Sequence, residues 1–289
     1  MGYTIYTDAT ADLTDEMLRG FPYVEIIPME IEIDGKIYRY GRGEKLTCEF
    51  FYSELRKGKF ASTSQINPEV YTQYFEKALS RGRDILYLCF TSGLSGTINS
   101  ARISMEELKE KYPERRIECI DTLCASVGEG FLVLEALQRH EDGMGMDELI
   151  QWIENYRLNV CHWFTVDTFE HLKHGGRVSA ATAMLGTTLN IKPLLHVSDE
   201  GKLSVREKPR GLKNAMNAQL KRLDNDWKTE IGKRIIVGHG DEKYRAETMA
   251  ALIREIYPDA EIEIADIGPV IGSHTGPGML AVIFWGNHR

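Results

Sequence analysis

Residues 84–101 read DILYLCFTSGLSGTINSA. The run through Phe90 is apolar and short, the pattern of a buried strand. Thr91–Thr97 then carries three serines or threonines before Gly96, and no charge appears until Arg102. From about Ser95 to Lys111 the pattern is helical. A loop of this make could hold a nucleophilic serine, cradle a phosphate or grip another anion.

The same alternation extends outward. YTIYTD (3–8) reads as a strand ending in Asp8, and a short helix is expected near Thr14 to Arg19. YVEIIPMEIEIDGKIYRY (23–40) holds two extended runs with Asp34-Gly35 between them, a hairpin signal. Thr47 to Lys57 is helical in pattern. A clear helix start follows, with Asn67 as N-cap, Pro68 at the first helical position and Glu69 in the first turn. Behind it, Val70, Tyr71, Tyr74, Phe75, Ala78 and Leu79 form one apolar stripe. RIECID (116–121) reads as a strand, and Val127 to Arg139 as a helix. Strands alternating with helices argue for a parallel sheet covered on both faces. A boundary falls near Asn159. Beyond it come the strand VCHWFTVD (160–167), a hairpin turning at Asp199–Gly201, helices near 211–224 and 243–257, and strands at 233–240, 260–268 and 278–286. The expected fold is α/β in two domains: an N-terminal parallel-sheet domain over residues 1–159 and a C-terminal α/β domain over 160–289.

A chain of 289 residues can bury large cores without disulfide or metal staples. Its formal net charge of −8 excludes a general nucleic-acid binder, which needs a basic face for phosphates. No apolar run is long enough to span a bilayer. The opening MGYTIYTDATADL lacks a basic segment followed by an apolar one, so no signal peptide is expected, and Tyr6 stands where a myristoylation motif wants serine or threonine. Five cysteines, Cys48, Cys89, Cys119, Cys124 and Cys161, are odd in number and irregular in spacing, which points to reduced thiols in the cytoplasm.

Four polar, glycine-rich loops stand out: Ser62–Asn67, Thr91–Thr97, Lys173–Ser179 and Gly272–Gly278, each expected at a strand end or a helix start. Helix N-termini present free N–H groups and a positive dipole end. In Thr91–Thr97, Ser95 is placed to cap and Gly96 lets a ligand approach the backbone. Thr63 and Ser64 stand just ahead of the Asn67-Pro68 helix start in the same way. Any one hydroxyl could merely cap a helix, but two such loops weaken that alternative. No P-loop, dinucleotide fingerprint or nucleophile elbow is present. A serine hydrolase stays open if His274 lies beside Ser95 as its base. Asp167, His171 and His174 have metal-ligand spacing, but no further cluster completes a site, so no metal is expected. His196 and His239 sit in strand-like runs and read as structural. His274, among small residues, could offer a hydrogen bond or positive charge to an anion. Arg177 could grip a carboxylate with two parallel bonds or close an ion pair between domains.

Six motifs in order resemble the DegV family of fatty-acid-binding proteins, which includes the bacterial FakB subunits. TDATADL resembles its T-D-S-x-x-D-L, with Ala9 for the usual serine, and TSQINP resembles T-S-Q-P-S-P, departing at Ile66 and Asn67. TSGLSGTINSA resembles S-S-x-L-S-G-T-Y-x-S-A. IDTLCASVGEG, LKHGGRVSAATAMLGTTLNIKPLLHVSDEGKL and IGPVIGSHTGPGMLAVIFWG resemble its remaining three blocks. The resemblance implies one long-chain fatty acid held between the two domains, with its carboxylate on polar loops and its chain in an apolar tunnel. Carried over by motif, Thr63 and Ser95 bind the carboxylate, and Arg177 and His274 lie at the head group; Ser64 and Gly96 complete the loops. It further implies a cytoplasmic carrier with no cofactor and no turnover of its own, in bacterial phospholipid metabolism. That carrier presents the acid to a separate ATP-dependent fatty acid kinase, with at most transient membrane contact. The alternatives are a serine-dependent acyl hydrolase using Ser95 and His274, or a carrier of another lipid. The basic run Arg206, Lys208 and Arg210 reads as a solvated face or a docking patch.

Overall fold

The computed structural model describes residues 2–179 and 190–289. The first half holds strands β1 (Tyr3–Asp8), β2 (Val24–Ile27), β3 (Met29–Ile33), β4 (Lys36–Tyr40), β5 (Ala61–Thr63), β6 (Asp84–Cys89) and β7 (Ile117–Asp121). Its main sheet runs β2-β1-β6-β7 with every neighbouring pair parallel. The long extended run splits at Pro28. Before the proline, β2 joins the parallel sheet; after it, β3 enters a small antiparallel sheet ordered β4-β3-β5. The β3–β4 turn is made as the sequence suggests, with Asp34 at φ 54° and Gly35 at φ 74°, the two positive angles that a tight hairpin turn requires.

Helices α1 (Cys48–Arg56), α2 (Pro68–Leu79), α3 (Thr97–Lys111), α4 (Val127–Glu141) and α5 (Met146–Tyr156) complete this half. Asn67 caps α2 as expected, its Oδ1 accepting the Val70 N–H at 3.0 Å. The helix expected at 14–19 does not form; a run of turns takes its place, with the Leu18 N–H donating to Thr14 O at 3.1 Å. Helix α4 is buried on nearly every side, because it lies between the two large sheets.

The second half holds β8 (Val160–Thr165), α6 (Glu170–His174), β9 (Leu194–Val197), β10 (Leu203–Glu207), α7 (Leu212–Asp226), β11 (Arg234–His239), α8 (Lys243–Ile256), β12 (Glu261–Asp266), α9 (Pro269–Thr275) and β13 (Leu280–Trp285). Its sheet runs β10-β9-β8-β13-β11-β12, and only β11–β12 is parallel. Helices α7 and α8 cover one face over a small core containing Met216, Leu223, Ile253 and Val282. The other face meets α4, where Phe131 and Trp285 pack edge-on at 5.0 Å.

The β6–α3 loop touches the β9–β10 hairpin directly. Thr91 Oγ1 donates to Gly201 O at 3.0 Å, and a Cβ on Gly93 would run into the Glu200 and Gly201 carbonyls. Gly93→Ala is therefore expected to cost about 1–3 kcal/mol by overpacking against backbone. Urea denaturation checks this; an unchanged midpoint would mean the hairpin moves aside freely.

Candidate functional site

Between the halves runs a channel with about 770 Å³ of empty space, its mouth included. Its walls are mostly apolar, with Phe90 and Val127 from the first half and Phe164, Val197 and Ile283 from the second. Four of the residues predicted from sequence line it: Thr63, Ser95, Arg177 and His274. Ser64 and Gly96 do not. Ser64 is exposed, and the side of Gly96 where a Cβ would sit is filled by the Gln65 amide, 3.0 Å away. Gly96 thus makes room for a protein side chain.

Two of the four loops lead into helices, as expected. The Thr63 loop leads to α2, and the Thr91 loop to α3, whose N-cap is Gly96. The Ser95 hydroxyl accepts the Thr97 N–H at 3.2 Å, a cap-like bond one residue early. The other two loops correct the expectation, because they follow helix C-termini. Lys173–Ser179 leaves α6, and His274 sits in the last turn of α9. A helix C-terminus is the negative dipole end, so any anion affinity there comes from side chains. β5 also belongs to the small sheet, so the two hydroxyl loops are not on neighbouring strands.

His274 Nε2 lies 3.0 Å from Thr63 Oγ1, joining the halves. His274 Nδ1 is buried with no hydrogen-bond partner among the described residues, because Gly175 packs directly against it. Burial, then Arg177 and His174, push the His274 pKa down to about 4, so the ring is neutral at pH 7. Arg177 Nε donates to Leu94 O at 3.3 Å and its Nη1 donates to Gly175 O. Burial lowers its pKa, and no carboxylate pairs with it among the described residues. The predicted alternative of an ion pair between domains is not what Arg177 makes there. Among the described residues no Ser95–His274 hydrogen bond forms and no acid orients Nδ1, so they do not assemble the geometry of a hydrolytic triad. Asp167 is engaged by Lys192 at 2.6 Å and Arg245 at 3.1 Å, and no metal-ligand cluster exists among the described residues.

Four further polar residues line the channel and were not singled out in the sequence: Thr10, Ser126, His162 and Thr275. His162 Nδ1 lies 2.8 Å from Val160 O, and burial holds the ring well below its usual pKa, hence neutral. Gly128 on α4 provides the space for that ring. Thr10 and Ser126 turn their hydroxyls into the protein. Thr10 Oγ1 lies 2.5 Å from Asp8 Oδ1 and 2.8 Å from Glu129 Oε2. One hydroxyl proton cannot serve both carboxylates, so one carboxyl must carry a proton and donate. Burial raises the Asp8 pKa too, but Asp8 already accepts the Thr10 N–H at 3.0 Å and the Tyr87 hydroxyl at 2.6 Å, which oppose that push and favour its ionised form over that of Glu129. Glu129 is therefore the neutral acid, in line with burial and Asp8 raising its pKa well above the carboxylate range. Ser126 Oγ lies 2.6 Å from Asp12 Oδ2, where a protonated Asp12 donates to the serine oxygen, and burial pushes Asp12 up to about 8. The sequence signal for this network is slight: an acid between glycines in the apolar run VGEGFLVLEAL.

These shifts set a pH dependence. Asp12 holds its proton to about pH 8 when folded but loses it from its ordinary 3.8 when unfolded, so its contribution is lost as pH rises through that window. His274 and His196, held near 4 against an ordinary 6.5, act oppositely below pH 6.5. Between pH 6.5 and 8 only the raised carboxyls act, Glu129 together with Asp12, each with a slope of up to about 1.4 kcal/mol per pH unit. Thermal unfolding across that range is expected to show a falling midpoint whose slope becomes shallower in Asp12→Asn; an equal fall in the variant would contradict a neutral Asp12.

A family model described as "Uncharacterised protein, DegV family" matches residues 3–287. A DegV domain-containing protein of Clostridium perfringens is 41% identical over 287 residues, covering 99% of this chain and 98% of that one. Among solved structures, a fatty-acid-binding DegV family protein from Thermus thermophilus is 32% identical, covers 99% of this chain and 100% of its own, and superposes with a TM-score of 0.83. The fatty acid kinase (Fak) B3 protein of Streptococcus pneumoniae, solved with linoleic acid, covers 99% of both chains with a TM-score of 0.86. At 21% identity that likeness shows the fold alone. With a match along nearly its whole length, this chain belongs to the DegV family.

Proposed function

We propose that this protein binds one long-chain fatty acid in the channel, its carboxylate held by Thr63, Ser95, Arg177 and His274. The observation that carries this is a partly buried guanidinium with no acidic partner among the described residues, beside two hydroxyls and a neutral imidazole, at an otherwise apolar channel. A carboxylate is the missing charge. It needs several hydrogen bonds to leave water, and these groups supply them. Each buried CH₂ adds about 0.8 kcal/mol, so a long chain binds tightly without any chemical step. The Thermus thermophilus relative, described as binding fatty acid, supports the ligand class. Ser64 and Gly96 then shape the two loops without touching the ligand.

The same reading gives the protein a place beside a separate fatty acid kinase, to which it would present the carboxylate for acyl-phosphate formation. The Streptococcus pneumoniae likeness suggests that role through fold. Such a carrier has no turnover of its own and works in the cytoplasm, where its five free thiols stay reduced.

Fluorescence titration with a C18 fatty acid tests the site. The double variant Thr63→Ala, Ser95→Ala should bind at least about tenfold more weakly, the loss of one or two charge-assisted hydrogen bonds. Unchanged affinity would sink the site assignment. Ester hydrolysis that disappears in Ser95→Ala would replace the carrier with an enzyme.

A further inference from the structure

His274 reaches Thr63 from α9, a helix of the second half, and something must fix α9 against the first half. The two ends of this short helix are held in different ways. At its C-terminal end stands the Thr63–His274 bond. At its start, one peptide unit, between Ile267 and Gly268, is gripped from both sides by first-half side chains. Tyr52 on α1 donates its hydroxyl to Ile267 O at 2.8 Å. Asp12, in the turn after β1, accepts the Gly268 N–H on Oδ1 at 2.9 Å. Both bonds are buried, and both bridge more than two hundred residues of sequence. Midway along α9, Gly272 lets the helix settle onto Phe51 and Tyr52, where a Cβ would stand 2.7 Å from the Phe51 ring and 3.1 Å from the Tyr52 ring. The helix's own hydroxyls take no part, since Ser273 donates back to Pro269 O and Thr275 to Ile271 O.

We propose that Tyr52 and Asp12 are positioning residues for the head-group site: by clamping one peptide unit they set the register of α9, and so hold His274 at hydrogen-bond distance from Thr63. This rests on the fatty-acid reading for its ligand, but not for its geometry. A helix is stiff along its axis, so a shift at its first turn passes to its last. With the clamp closed, the imidazole and the Thr63 hydroxyl are already in place when a carboxylate arrives, and no ordering cost remains to be met. Neither clamp residue touches the channel.

Tyr52→Phe tests this, since it removes only the hydroxyl and keeps the ring packed on Gly272. The variant is expected to bind a C18 fatty acid about five- to tenfold more weakly, while the C18 alcohol, which lacks the carboxylate, changes less than about twofold. Tyr52→Phe combined with Thr63→Ala should lose less affinity than the sum of the two single losses, because both act on one contact. Asp12→Asn, which keeps an oxygen for Gly268, should retain most of the affinity that Asp12→Ala loses. Equal losses for acid and alcohol, or fully additive effects of Tyr52→Phe and Thr63→Ala, would reduce the clamp to ordinary stability and overturn the proposal. The imidazole nitrogen signals of His274, recorded by NMR without ligand, give a separate decision. They should shift in Tyr52→Phe, and unchanged signals would overturn the clamp whatever the ligand is. If the wild-type protein binds no fatty acid, the fatty-acid reading fails while this NMR comparison still decides the clamp.

Discussion

Thr63 Oγ1 and His274 Nε2 meet at 3.0 Å, one from a strand of the first half and one from a helix of the second. Residues that stand 211 apart in sequence share that bond only if both halves are held in register. Much of the interface serves this. Helix α4 fills the gap between the two large sheets, and glycines at 128 and 130 admit the His162 ring and the Ala11 carbonyl on either side of it. The Thr91–Gly201 bond pins the β6–α3 loop to the second hairpin, and α9 lies against α1 through Gly272. Each contact is a close approach of backbone that a side chain would block.

Electrostatics divides the channel into two unlike polar regions. At one, Arg177 keeps its charge without an acid among the described residues, beside a histidine kept neutral by burial. At the other, behind the Thr10 and Ser126 side chains, three acids lie buried with no cation beside them among the described residues, and they are accommodated by proton sharing and hydroxyl donors. The hydroxyls of Thr10 and Ser126 are spent on those acids, so they offer the channel little polarity. An amphiphile with one anionic end matches this asymmetry, its charge at Arg177 and its chain along the apolar wall. A ligand polar along its length does not.

The local elements were legible because their causes are local. Asn67-Pro68 marked the start of α2, Asp34-Gly35 the β3–β4 turn, and the apolar run 84–89 the strand β6. What the sequence left unread depended on partners far away. Nothing near Pro28 tells that β2 and β3 part into different sheets, and nothing in the second half's strands tells that they pair mostly antiparallel. The site followed the same rule. Thr63, Ser95, Arg177 and His274 lie in polar loops or among small residues that announce themselves, and the resemblance to a known family ordered them. His274 was nonetheless expected in a loop and stands on a helix. Thr10, Ser126, His162 and the acids Asp8, Asp12 and Glu129 gain their meaning only from each other, across separations of up to 119 residues among the acids and hydroxyls. A pattern that is read by spacing cannot find them.

The central claim is that the channel holds an amphiphile with one carboxylate, and the most direct test is to look for it. Protein purified from a bacterial host would be extracted with organic solvent and the extract weighed by mass spectrometry. A long-chain fatty acid in roughly equimolar amount is the expected result. An empty extract, or a dominant species with no carboxylate, would contradict the account while leaving the fold intact.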